Sequence, residues 1–91
     1  MTATLVLPAV LRPSAGGQGM LPTAGATVGE ALDGLKVTWP QLARRLRDEQ
    51  GAVRRHIRIY VESDDISDLA GLATPLSEGV HVYIVPAISG G

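Results

Sequence analysis

Val82-Tyr83-Ile84-Val85-Pro86-Ala87-Ile88-Ser89-Gly90-Gly91 is the stretch that organises the reading of the whole chain. Its first half alternates as a strand does: with Val80, the residues Val82 and Ile84 face one way, and His81, Tyr83 and Val85 face the other. Its second half has no period, and glycines at 90 and 91 leave it without side chains at its tip. Glycine lacks a Cβ and tolerates dihedrals closed to other residues, so such an end can follow a channel that excludes bulkier ones. The expectation is one domain over residues 1–85 and a tail over residues 86–91, reaching at most about 20 Å when extended. If Gly91 is the native end, no processing is needed to expose the diglycine.

Working back from there, Ile57, Ile59 and Val61 alternate with Arg58, Tyr60 and Glu62, the pattern of a half-buried strand. Ser63-Asp64-Asp65 is turn chemistry, and Leu69 to Leu76 is an apolar connector broken by Gly and Pro. Glu78-Gly79 makes the final turn. Earlier, Thr27-Val28-Gly29-Glu30 is a capping box, in which the threonine hydroxyl accepts from an orphan amide and the glutamate reaches back. Val28, Ala31, Leu32 and Leu35 follow at helical spacing, with Gly34 weakening or ending the helix. Thr38-Trp39-Pro40-Gln41 resembles a second start, opening a stripe of Trp39, Leu42, Ala43 and Leu46 with Arg44, Arg45 and Arg47 outward. Near the N-terminus, residues 4–11 read as a strand placing Leu5, Leu7, Ala9 and Leu11 on one side, with Pro8 either demoting it from a fully paired centre or lying where no ladder bond is needed. Residues 12–19 are a turn, and Met20-Leu21 returns as a short strand before Pro22.

Composition sets the bounds. Ninety-one residues make one small domain, and no apolar run approaches the roughly 20 residues of a membrane span. The first residues lack the basic region and cleavage site of a signal peptide, so a cytoplasmic protein is expected. With no Cys there is no disulfide framework, no thiolate nucleophile and no zinc-thiolate site. A net charge of −1 argues against nucleic acid or an anionic membrane as partner, and one Trp, two Tyr and no Phe give no stacking platform. The charge is nevertheless segregated: Arg44, Arg45, Arg47, Arg54, Arg55 and Arg58 lie together, and Glu62, Asp64, Asp65 and Asp68 follow. Such blocks are solvated faces or a docking surface for a charged protein.

An enzyme is a poor fit. His56 and His81 are the only histidines, and neither has a recognisable nucleophile or base partner beside it. Metal-ligand spacing is absent, and the acids around Asp64 miss the alternation of a calcium loop. Gly16-Gly17-Gln18-Gly19 lacks the Lys-Ser/Thr and the helix that a phosphate cradle requires.

The order strand, strand, helix, short helix, strand, connector, strand, tail implies an α+β roll of one sheet crossed by a helix. Ending in Gly90-Gly91, it resembles the ubiquitin-like β-grasp proteins, and its motifs resemble the small bacterial sulfur carriers of the ThiS and MoaD type. Leu11-Arg12-Pro13, Gly16-Gly17-Gln18, Ile59-Tyr60-Val61 and Gly71-Leu72-Ala73-Thr74 look more narrowly like actinobacterial CysO-type carriers. One departure is Val80, where many relatives carry an acidic residue after the glycine of the last turn.

The resemblance implies a mixed sheet, a protein that is not itself an enzyme, and no cofactor bound by this chain. It implies a ubiquitin-activating-like enzyme that uses ATP and magnesium to adenylate the Gly91 carboxylate, and a sulfur donor that displaces AMP to leave a thiocarboxylate. A sulfur-accepting enzyme of cysteine or other sulfur-metabolite biosynthesis would follow. A carboxylate with a pKa near 3.5 is anionic and a poor electrophile at neutral pH, which is why activation must come first. Pro86, Ala87, Ile88, Ser89 and Gly90 would enter the partner's active site. Pro8, Tyr60, Tyr83 and Val85, rimmed by Arg58 and His81, would form the docking face, because one helix cannot cover both faces of a sheet. The chain is expected to be a monomer alone. The alternative is a ubiquitin-like modifier joined to lysines, or an interaction module that is never activated.

Overall fold

The computed structural model describes residues 2–86. Its elements are strands β1 (Thr2–Val6) and β2 (Met20–Ala24), helices α1 (Val28–Asp33), α2 (Leu35–Thr38) and α3 (Pro40–Leu46), and strands β3 (Ile57–Val61), β4 (Asp64–Asp65) and β5 (His81–Pro86). The five strands form one mixed sheet in the order β2-β1-β5-β3-β4. β5 pairs parallel with β1 and antiparallel with β3, so the last strand of the chain lies in the middle of the sheet. The helices cover one face, and the expected β-grasp roll is met.

The core is the seam between that face and the helices. Leu5, Leu7, Ile59 and Val82 from the sheet side meet Val28, Leu32, Leu42 and Leu46 from the helices, all essentially fully buried. α1 starts as its capping box requires: the Thr27 hydroxyl accepts from the Glu30 N–H at 3.2 Å, and the Glu30 carboxylate accepts from the Ala26 N–H at 3.0 Å. The connector then ties to this helix start. Thr74 is buried, its carbonyl accepting from the Val28 N–H at 3.0 Å, and Thr27 bridges to Pro75. Gly34 divides α1 from α2 while keeping right-handed helical dihedrals.

Several expectations are corrected. The first strand ends at Val6, and residues Ala9–Ala15 form a 3-10 helix. Pro8 lacks the N–H that would extend a ladder, and its carbonyl instead accepts from the Leu11 N–H at 3.0 Å to start the helical turn. Leu11 is buried by that turn, whereas Ala9 is exposed. Gly16 closes the 3-10 helix in the left-handed region at φ 64, and a Cβ there would meet the Trp39 ring at 3.2 Å. β2 continues through Pro22. Pro22 lies opposite Thr4, whose N–H turns away to the Val80 carbonyl, so the proline nitrogen faces the open edge and interrupts no ladder bond. The same residue leaves the outer edge of β2 one donor short for adding another strand.

Thr38 ends α2 and does not cap α3, whose N-cap is Trp39 followed by Pro40 at the first helical position. Arg44 and Arg45 point outward as expected, but Arg47 does not. It is the extended residue after α3, off the helical period, and its guanidinium turns in to the Gly51 carbonyl at 2.8 Å and the Asp33 carboxylate at 2.7 Å. Asp64 and Asp65, read as part of a turn, also form the two-residue strand β4 against Tyr60 and Val61. Pro86, placed in the tail by sequence, pairs with Ile57 as the last residue of β5.

Candidate functional site

Because β5 is central, the chain leaves the described structure in the middle of one end of the sheet, between the finish of β1 and the start of β3. Pro86 stands at that exit, half-buried. Ala87, Ile88, Ser89, Gly90 and Gly91, expected to carry the chemistry, lie outside the described residues.

The residues expected to form the docking face lie mainly on the uncovered side of the sheet. Tyr60 is opposite Tyr83, and Arg58 is opposite Val85. Tyr83 and Val85 are each 37% exposed. Pro8 is half-buried just beyond β1, two residues after Val6 as Val85 is two after its neighbour Tyr83. Sequence reasoning missed two members. Met20 pairs with Val6 and Val6 with Tyr83, so Met20, Val6, Tyr83 and Tyr60 form a row across β2, β1, β5 and β3. Val6 was findable, since Leu5 and Leu7 on either side were assigned inward. Met20, 55% exposed, needed the register of a strand whose extent the sequence left short.

The polar members of the face are held by local bonds. The His81 ring stacks on Tyr83 at a centroid distance of 6.1 Å, and its Nδ1 lies 3.6 Å from the Glu62 carboxylate. That carboxylate also accepts from the His81 N–H at 2.8 Å, while the Glu62 N–H donates to the His81 carbonyl at 2.9 Å. Glu62 adopts a left-handed conformation, φ 55, to close this ring at the β3 turn. His81 therefore fixes a turn and supports an aromatic ring. Arg58 is 3.4 Å from Asp65, whose carboxyl is held below the usual range chiefly by the Ser67 N–H, then by the Ser67 hydroxyl and Arg58.

At the far turn, Val80, the departure noted above, packs against the core, and its carbonyl accepts from the Thr4 N–H at 3.0 Å. Glu78 supplies the carboxylate of that turn and accepts from the Thr2 N–H at 3.0 Å. Among the described residues no three His, Asp or Glu side chains gather where they could hold a metal ion. No helix among them is long and apolar enough to cross a membrane.

A β-grasp roll with an apolar stripe on its open face and a central last strand defines the ubiquitin-like class. Within that class the chain belongs to the ThiS family, whose profile matches residues 5–91. It is 36% identical over 93 residues to the sulfur carrier protein CysO of Mycobacterium tuberculosis strain H37Rv, covering 100% of both chains. It is 36% identical over 66 residues to small archaeal modifier protein 3 of Haloferax volcanii, covering 72% of this chain and 71% of that one. The crystal structure of the Amycolatopsis orientalis BexX/CysO complex contains a chain that superposes with a TM-score of 0.88 at 31% identity, covering 98% of this chain and 99% of that one.

Proposed function

We propose that the chain is a sulfur carrier whose Gly91 carboxylate is activated by a partner and converted to a thiocarboxylate. A carboxylate oxygen attacks the α-phosphorus of ATP on a magnesium-dependent adenylating enzyme, and pyrophosphate leaves. A sulfur nucleophile then attacks the carbonyl carbon of the acyl adenylate and AMP leaves. The thiocarboxylate gives its sulfur to a biosynthetic enzyme making cysteine or another sulfur metabolite. The chain binds no cofactor and performs neither step; it presents the reacting end.

The observation that carries this reading is the position of β5. A central strand with a row of Met20, Val6, Tyr83 and Tyr60 beside it can dock a partner on the open face, and its last described residue, Pro86, stands at the end of the sheet. The family match running to residue 91 and the full-length similarity to a sulfur carrier support it. That the similar Amycolatopsis chain was solved in a complex supports a docking partner. The chain acts as a cytoplasmic monomer that meets its partners in turn.

Similarity to an archaeal modifier favours a second reading, in which Gly91 is joined to lysines. Intact-mass spectrometry after incubation with ATP, magnesium, the adenylating enzyme from the same genome and sulfide separates the two. Exchange of one oxygen for sulfur at the terminus is the expected result. Lysine-linked adducts in place of that exchange would establish the modifier, and an unchanged mass under conditions that activate a known carrier would refute both.

A further inference from the structure

The end of the sheet at which β5 exits is rimmed by arginines. Pro86 pairs with Ile57, and Arg54, Arg55 and His56 immediately precede Ile57. Arg44 and Arg45 come from the last turn of α3. Gln41, Arg44, Arg45, Arg54 and His56 line a shallow concavity of about 520 Å³. Its backbone is fixed: the Arg54 N–H donates to the Leu46 carbonyl at 3.0 Å, the Arg54 Nε to the Arg44 carbonyl at 2.6 Å, and Ile57 to the Arg54 carbonyl at 3.0 Å.

These arginines differ from Lys36, Arg47 and Arg58, which are ion-paired, whereas Arg12, like Arg54, reaches only a carbonyl. Lys36 and Arg47 share Asp33, Arg58 has Asp65, and Arg12 reaches the Leu7 carbonyl. Arg44, Arg45, Arg54 and Arg55 have no carboxylate within 4.0 Å among the described residues. Asp48 and Glu49 line a neighbouring depression with Gln50 and Arg54, and another with Arg44, without an ion pair to either arginine. Of the acids that follow β3, Glu62 and Asp64 sit at its far end, while Asp65 lines a concavity with Arg54, Arg55 and Arg58 and is paired with Arg58.

Resting on the sulfur-carrier reading, we propose that Arg44, Arg45, Arg54 and Arg55 form a docking surface for an acidic rim around the active-site entrance of the adenylating enzyme. Five residues beyond Pro86 span at most about 18 Å, so any site that holds Gly91 must approach this end of the sheet. Unpaired charge there attracts an acidic entrance, and Glu62 and Asp64 at the other end of β3 turn the molecule tail-first. Breadth and shallowness fit a protein surface and not an enclosed small anion. An extended polyanion that overran the patch would meet the acidic end.

The test compares Arg45→Glu and Arg55→Glu with Lys36→Glu, an equal charge change on the exposed side of α2. Stopped-flow association with the adenylating enzyme at low salt should slow about tenfold for each patch variant and less than twofold for Lys36→Glu. The gap should close at high salt. Equal slowing by Lys36→Glu, or none by the patch variants, would overturn the proposal. A second measurement stands apart from activation: NMR titration of the unmodified chain with a glutamate-rich peptide, with pyrophosphate and with short single-stranded DNA. Salt-sensitive shifts confined to residues 41–45 and 54–56 with the peptide support protein docking. Tighter binding of pyrophosphate or DNA at the patch, or no shift with the peptide, refutes it. If the wild-type chain is never activated, the sulfur-carrier reading fails by itself, while the titration still decides whether the patch receives an acidic protein surface.

Discussion

Along β5, neighbouring side chains of similar apolarity have opposite surroundings. Val82 and Ile84 are 0% and 2% exposed beneath the helices, whereas Tyr83 and Val85 are each 37% exposed on the bare face. The first pair belongs to the seam that holds the fold together. The second adds little to that seam, because a single helical layer covers only one side of a sheet. An apolar residue on this strand therefore says that it is buried against something, and the fold alone decides whether that something is in the same chain. The row from Met20 to Tyr60 lies on the side of the sheet that the helices leave bare.

Substituting adjacent positions puts this contrast to its hardest test. Val82→Asp would set an unpaired carboxylate in the middle of the core, where the penalty of several kcal/mol takes most of the ~5–15 kcal/mol that stabilises a small domain. Circular dichroism should show no cooperative thermal transition. Tyr83→Asp, one residue along, should melt within a few degrees of the wild type but lose at least about tenfold in enzyme-dependent conversion of the terminus, the 1.4 kcal/mol expected of one interface aromatic. A melting loss as large as that of Val82→Asp would mean that the open face belongs to the core.

Changes at the tip should separate the two roles completely. Deleting Gly91, or adding one residue after it, should abolish activation, read as ATP–pyrophosphate exchange, and leave the melting temperature unchanged. Normal thiocarboxylate formation by either variant would remove Gly91 from the chemistry.

A helix start gives an effect of intermediate size. Thr27→Ala removes the acceptor for the Glu30 N–H and should destabilise the fold by about 1 kcal/mol in urea titrations, with activation of the folded protein unaffected. It acts wholly on the covered side of the sheet.

What could be read in the sequence follows the same division. Strong local signals were sufficient for the capping box at Thr27, the alternation of Ile57 to Val61 and the inward set on β5, since each is decided within a few residues. Residues 8–15 misled because Leu7, Ala9 and Leu11 alternate like a strand, while Pro8 supplies a fixed φ and no N–H, which favours a helical turn. Met20 and Val6 join the row on the bare face only through the pairing of four strands, a long-range fact with no local mark. Arg47 looked like its neighbours Arg44 and Arg45, yet the end of α3 turned it toward Asp33. The chemistry proposed for Gly91 rests on family resemblance, because no local pattern distinguishes a reactive terminus from an ordinary one.

The smallest predicted effect contrasts the ion-paired Asp65 with the arginines at the tail exit. Asp65 is supplied with the Ser67 N–H at 2.9 Å, the Ser67 hydroxyl at 2.8 Å and Arg58 at 3.4 Å, which favour its charged form. Its carboxyl therefore binds protons less readily in the folded state than in the unfolded chain, so folding is favoured above the ordinary carboxylate pKa of about 4 and loses that contribution as pH falls through the lower folded value. Asp33 behaves in the same direction, chiefly through its hydrogen bond from Arg47. Asp65→Asn should thus be slightly less stable than the wild type at pH 7, and the gap should narrow in urea titrations run progressively below pH 4. Arg45→Glu, at the end with no native ion pair to lose, should leave the acid limb of the stability profile as it is in the wild type. If both variants shift that limb equally, the arginines at the tail exit are paired in solution, and the difference between them and Asp65 disappears.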